Sequence, residues 1–250
     1  MCVTDLDSRI PQTSSAVLAS QDKGGISHAA KLNWLRAGVL GANDGIISTA
    51  GLVVGVAGAT TAIGPILTAG VAGVVAGAVA MSLGEYVSVS SQRDAERSLI
   101  ERERRLLDED PEAELVQLAG IYQAKGMSAA TARAVAEELS AHDVYAAHID
   151  AQLGLDPDDL TNPSHAAISS GVSFTAGALL PILAIWLAPG TIRIPVTFVV
   201  VLLALAGTGS MSAALGGAGH LRAILRIVLG GAAAMIITYA IGRLLGVSVG

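Results

Sequence analysis

Residues 37–58 read AGVLGANDGIISTAGLVVGVAG, a run of membrane-crossing length with a carboxylate, Asp44, near its middle. A helix needs about 20 apolar residues to cross the hydrocarbon core. A charged side chain at its centre costs at least ~2.5 kcal/mol, so intramembrane acids are kept where they bind ions, relay protons or pair. The run predicts a transmembrane helix, and Asp44 makes cation transport the first functional expectation.

Four further runs follow. Residues 62–84, 166–187 and 194–215 are uncharged, whereas 225–245 carries Arg226 and Arg243 near its ends. Long cationic stems at such positions can reach the headgroups. Trp34, Tyr86, Trp186 and Tyr239 fall near the expected interfaces, where aromatic belts form. A mean hydropathy of +0.60 and 14% charged residues exclude an ordinary soluble domain.

Charge is unevenly spread. Residues 85–159 hold 17 of the 21 acidic side chains but only 7 of the 15 basic ones. With a net charge of −6, this argues against nucleic acid and for cations. The lone Cys2 excludes an internal disulfide framework and thiolate-rich metal sites. Residues 1–30 are polar and lack an apolar core, so a disordered cytosolic tail without a cleavable signal peptide is expected. Lys23, Lys31 and Arg36 precede the first span, and Arg222 leads into the fifth. The positive-inside rule then puts the N-terminus in the cytosol and the C-terminus outside.

The expected fold is an all-α membrane protein of five transmembrane helices, with a cytosolic three-helix insert between the second and third. Its parts are the tail, spans one and two (31–91), the acidic insert (92–162) and spans three to five (163–250). In the insert the second span runs on as one helix. Asp110 caps the next, with Pro111 at its first position, and Gly126 ends it. Ser128 caps a third helix reaching about Leu153, and Asn162-Pro163 breaks the chain before the third span.

Several side chains could carry chemistry. Ala37, Gly41, Asp44, Ser48, Gly51 and Gly55 share one face of the first span, and small residues let another helix approach. This predicts that Asp44 points into a buried protein interface. Gly73, Gly77, Met81 and Glu85 follow at steps of four on the second span. A thioether beside a carboxylate suits a first-row divalent ion better than Mg²⁺ or Ca²⁺. In the insert, periodicity alone favours a solvated charged face over metal binding. No Walker loop, zinc-protease motif or nucleophilic triad is present, so an enzyme is not expected.

LRAGVLGANDGIISTAGLVVGV in the first span and VAGAVAMSLGEYVSVSSQRDAE in the second resemble the vacuolar iron transporter family. The likeness continues through SFTAGALLPIL and GGAAAMIITYAIGRLLG, covering about residues 32–246. It implies a homodimer of five-span protomers that exports Fe²⁺ or Mn²⁺ from the cytosol against protons, with no tightly bound cofactor. It further implies that Asp44 and Met81 line the membrane path and that Glu85 holds the acidic position of the second motif; our reading adds Ser48, on the Asp44 face, to the path and puts Glu85 at the cytosolic mouth.

The family's insert binds metal through Glu pairs on its first two helices and a Met-Met-x-x-Glu group on its third. Here Glu101 precedes Arg104 instead of a second Glu, and a two-residue shift puts Glu103 in its place. The second pair becomes Glu114 and Gln117, and the third group becomes His148, Ile149 and Gln152. Lost carboxylates predict weak Fe²⁺ binding there, roughly millimolar. Two other readings fit the chain: a Mn²⁺-selective transporter with a degenerate insert, and a non-transporting membrane sensor or scaffold. The Ala/Gly-rich, short-tailed chain points to a bacterial cell membrane.

Overall fold

The computed structural model describes residues 28–157, 160–217 and 219–249, so the expected disordered tail falls almost wholly outside the described residues. Seven α-helices run through them: α1 (His28–Ala59), α2 (Ile63–Glu109), α3 (Pro111–Ala124), α4 (Ala129–His148), α5 (Pro163–Leu187), α6 (Arg193–Gly216) and α7 (His220–Val249). Five of them, α1, α2, α5, α6 and α7, are long and apolar enough to cross a membrane. No strand occurs among the described residues.

The spans pack around a core of Ile46, Val53, Ile66, Phe174, Ile185 and Leu205. Close approach is bought by small residues, but not on one face. Towards its N-terminal half α1 meets α5: a Cβ on Gly45 would strike the Phe174 carbonyl, and one on Gly177 the Ala42 carbonyl. Further along, Gly51, Gly55 and Gly58 meet Thr238 and Tyr239 of α7, and a Cβ on Gly242 would strike the Gly55 carbonyl. The single small-residue face expected of α1 is thus two contacts with two helices. Tyr239 is correspondingly half-buried against the core, whereas Trp186 and Tyr86 are exposed as belt residues should be.

α2 continues without a break for 47 residues, about 70 Å at 1.5 Å per residue, far beyond any bilayer core. Its distal part, with α3 and α4, forms the insert. Asp110 Oδ1 accepts the Ala113 N–H at 3.1 Å, and Ser128 Oγ accepts that of Thr131 at 3.2 Å, so both caps form. Gly126, at φ +102°, makes the turn between α3 and α4 that a side chain would strain. Arg133 ties α3 to α4 through Glu112 at 2.9 Å, and the Tyr145 hydroxyl donates to Asp108 of α2 at 2.8 Å.

Two details differ from the sequence expectation. The third helix is not continuous: Asp143 leaves helical geometry at φ −154°, ψ 100°, and its carboxylate accepts the Ala146 N–H at 2.9 Å to restart the helix. A π-helical turn, Ile149–Leu153, then follows, closed by Gly154. Asn162-Pro163 opens the third span rather than merely breaking the chain, because Asn162 Oδ1 accepts the Ser164 N–H at 3.0 Å and Pro163 takes the first helical position.

Candidate metal pathway and metal centre

Between α1 and α2 lies an open groove of about 380 Å³. Asp44, Ser48 and Met81 line it, with Thr49, Gly77 and Phe174. Gly77 admits the Phe174 ring, whose atoms crowd the place a Cβ would take. Ser48 donates its hydroxyl to the Asp44 backbone carbonyl at 2.6 Å, not to the Asp44 carboxylate. Asp44 itself is exposed, as is Ser48. The expected burial of Asp44 does not occur within one chain: α5 takes the neighbouring Gly45 side of α1, and the Asp44 side stays open. Glu85, half-buried one turn beyond Met81, is not among the groove's lining residues.

The insert gathers a second site. Glu103 of α2, Glu114 of α3 and His148 of α4 are 5%, 7% and 0% exposed, and one ligand atom from each lies within 4.8 Å of the other two. His148 Nδ1 is 3.5 Å from a Glu103 oxygen and 3.8 Å from a Glu114 oxygen, too long for hydrogen bonds. Both His148 nitrogens and Glu103 Oε1 are buried without a hydrogen-bond partner. Buried polar atoms are rarely left so. Gln152 points its amide at Glu114 Oε2 from 3.5 Å.

The two His148 distances suit one shared ion, since donors bound at about 2.1 Å sit roughly 3–4.2 Å apart. Two carboxylates and an imidazole form a donor set for first-row divalent metals. Burial, and after it the charge of Glu114, raises the Glu103 pKa above its usual carboxylate range. A bound cation would relieve both causes.

The other insert candidates lie elsewhere. Glu101 is exposed, facing a groove with Arg93, Arg97 and Arg104, and Gln117 is exposed on α3. The helical period explains the choice: Glu103 faces inward with Ile100 and Leu107, the buried positions of α2, whereas Glu101 does not.

Comparison with known proteins bears on both sites. The VIT family profile matches residues 35–243. The chain belongs to the VIT family. It is 40% identical over 212 residues to a vacuolar iron transporter of Acanthamoeba castellanii, covering 84% of this chain and 78% of that one. It is 37% identical over 226 residues to vacuolar iron transporter homolog 1 of Oryza sativa subsp. japonica, covering 90% and 79%. With VIT-like transporter 1b of Glycine max it shares 32% over 230 residues, covering 92% and 83%. These VIT relatives are named as transporters, not enzymes, and the VIT match spans the groove and the insert alike.

Phe174 and Thr49 of the groove escaped the sequence reading. Phe174 carried a signal, being one of only 2 Phe in the chain and lying in an otherwise uncharged span. Thr49 carried none, since hydroxyls on spanning helices commonly bond their own backbone.

Proposed function

We propose that this protein is a proton-coupled exporter of Fe²⁺ or Mn²⁺ from the cytosol, acting as a homodimer. The observation that carries the reading is Asp44, a carboxylate facing an open groove in the middle of a membrane span, with the Met81 thioether on the same groove. Asp44 binds the ion and takes up protons in exchange, since metal and H⁺ compete for one group. Met81 favours transition metals, and Glu85 gathers cations where α2 leaves the membrane.

Exposure of Asp44 supports the dimer. A carboxylate turned towards lipid at mid-span is costly. A second copy across the groove encloses it and completes a path that five spans, an odd number, do not form as two repeats. The names of the relatives support iron as cargo. Lys23, Lys31, Arg36 and Arg222 support a cytosolic N-terminus and insert. Composition supports a bacterial cell membrane, against the vacuolar one in the relatives' names. We assign the Glu103–Glu114–His148 centre, with Gln152 beside it, to cytosolic capture of the same ions.

Proteoliposomes loaded with a metal-sensitive dye test this reading. Uptake of Fe²⁺ or Mn²⁺ driven by a pH gradient, and lost when the gradient is collapsed, is expected. Uptake insensitive to the gradient removes the antiport, and no uptake of either ion removes the transport reading.

A further inference from the structure

Phe174 of α5 stands in the wall of the Asp44 groove, and glycines of two other helices meet it there. Its backbone lies against α1. A Cβ on Gly41 would come within 3.3 Å of the Phe174 nitrogen, and one on Gly45 would strike the Phe174 carbonyl. Those two glycines bracket Asp44 in the sequence. The ring lies against α2, in the notch left by the missing Cβ of Gly77, one helical turn before Met81. Phe174 is only 3% exposed, so its ring is packed almost completely although it borders the groove.

One aromatic residue therefore reaches from the turn of α1 that carries Asp44 to the α2 turn that ends at Met81. Behind it stands the α1 backbone, too close for a Cβ at Gly45, and ahead of it stands the α2 backbone at Gly77. A rigid ring caught between two backbones fixes their separation, because interiors packed to crystal density transmit small displacements. Further along the groove α1 and α2 meet directly: Leu52 Cδ2 lies 3.0 Å from the place a Cβ on Gly73 would take. The groove's width is thus set at two heights, and the Phe174 contact is the one beside Asp44.

We propose, on the transport reading of this groove, that Phe174 is a positioning residue that sets which divalent ions pass. An apolar ring gives an ion no ligand; it acts by holding Asp44 and Met81 at a spacing where both reach one ion. A carboxylate alone takes Ca²⁺ and Mg²⁺ as readily as first-row metals, since all accept oxygen. The thioether is what separates the two classes, and only while it touches the same ion as the carboxylate. Parting or crowding the helices at Phe174 therefore removes selectivity while Asp44 still binds.

The test uses the full-length protein in proteoliposomes under a pH gradient, with Fe²⁺ or Mn²⁺, whichever the wild type carries. The quantity read is a selectivity ratio, the Ca²⁺ concentration that halves uptake divided by the KM of the carried ion. Phe174→Leu leaves a gap beside Gly77, and Gly77→Ala overfills the notch. Each should lower the ratio roughly tenfold, the lower end of the range for losing a group that orients a ligand. Gly77→Ala/Phe174→Leu restores the filling and should recover most of the ratio, because volume-conserving changes are tolerated best. Ile185→Val is the control for packing alone: Ile185 is fully buried on the same helix but does not line the groove. It should lower thermal stability and leave the ratio unchanged. Should either single variant lose uptake altogether, the double variant decides, recovery supporting the proposal and no recovery overturning it. A ratio unmoved by Phe174→Leu, or moved as far by Ile185→Val, overturns it while the transport reading stands. No uptake by the wild type removes the transport reading and this role of Phe174 with it.

Discussion

The two candidate metal sites are opposite solutions to holding a cation. Asp44 offers a single carboxylate on an open groove, with an exposed hydroxyl and a soft thioether for company. The insert offers two carboxylates and an imidazole, all buried, with unpartnered atoms turned to one another. A site that must release its ion on every cycle cannot bind it too well, whereas a closed, charge-dense site holds on. If the proposed function holds, the membrane groove exchanges its ion and the insert retains it.

The largest expected effect breaks the groove. Asp44→Ala and Asp44→Asn should both reduce proteoliposome uptake to the background of empty liposomes, because neither side chain carries the charge or exchanges the proton. Asp44 makes no packing contact that its loss would empty, being exposed in the protomer, so the variants should elute as the wild type does. Wild-type uptake by either would end the exchange reading of the groove.

His148→Ala attacks the other side of the contrast. It removes the imidazole donor between two acids and should weaken Fe²⁺ and Mn²⁺ binding to the insert by at least roughly 10–100-fold, the range for losing a group that only supports a ligand. Calorimetry on full-length protein reads this best in the Asp44→Asn background, where the groove is silent. Uptake at saturating metal in the His148→Ala variant should stay near wild type. If uptake falls in parallel with affinity, the insert is part of the path rather than a separate reservoir.

How much of this contrast was legible beforehand follows from what periodicity can carry. The spans were plain, because twenty uncharged residues have few other uses, and the caps at Asp110 and Ser128 announce themselves by residue type and offset. Asp44 was plain for the same reason, as an acid where none is tolerated. Its exposure was not, since which face of α1 pairs with α5, α7 or a second copy depends on fit between surfaces distant in sequence. The insert is the least legible part of the chain. A charged helix face and a ligand set have the same composition; Glu103 shares the period of Ile100 and Leu107, but that it meets Glu114 and His148 is set by how three helices pack. The break at Asp143 and the π turn before Gly154, which set how α4 delivers His148, leave no periodic trace.

A smaller effect separates stability from function at the insert. The Glu103 carboxyl is raised by burial and then by Glu114. A group whose pKa rises on folding favours the folded state when protonated. That contribution is complete below the ordinary carboxylate value of 4.5 and is lost as pH climbs through the raised one. The metal-free protein should therefore lose stability across that window. Glu103→Gln, which cannot ionise, should flatten the loss and gain about 1–2 kcal/mol for the metal-free form at neutral pH. The same variant should bind metal more weakly. Thermal unfolding after chelation, across pH, checks it; an unchanged pH profile would mean that Glu103 ionises at no cost.

The smallest effect tests whether retention depends on rigidity. Asp110 caps α3 through the Ala113 N–H, and Glu114 lies one turn further in. Replacing a capping Asp by Ala costs about 1 kcal/mol. That loss is local, because α3 is only 14 residues and is held by a small cluster of Leu118, Ala119 and Ala136 rather than by the membrane core. Freed N–H groups let the first turn fray, and the fraying reaches the backbone that positions Glu114. Asp110→Ala should lower metal affinity at the insert by a few-fold, up to roughly tenfold if the whole cap energy is drawn from the bound geometry. Uptake through the groove should not change, since the cap touches neither α1 nor the apolar run of α2. Hydrogen exchange should show faster opening confined to 111–117, and metal should suppress it, because a ligand held only in the ordered turn shifts the turn towards order. Equal affinity in Asp110→Ala and wild type, despite faster exchange, would show that Glu103 and His148 hold the ion without Glu114, and the closed centre would then be a pair.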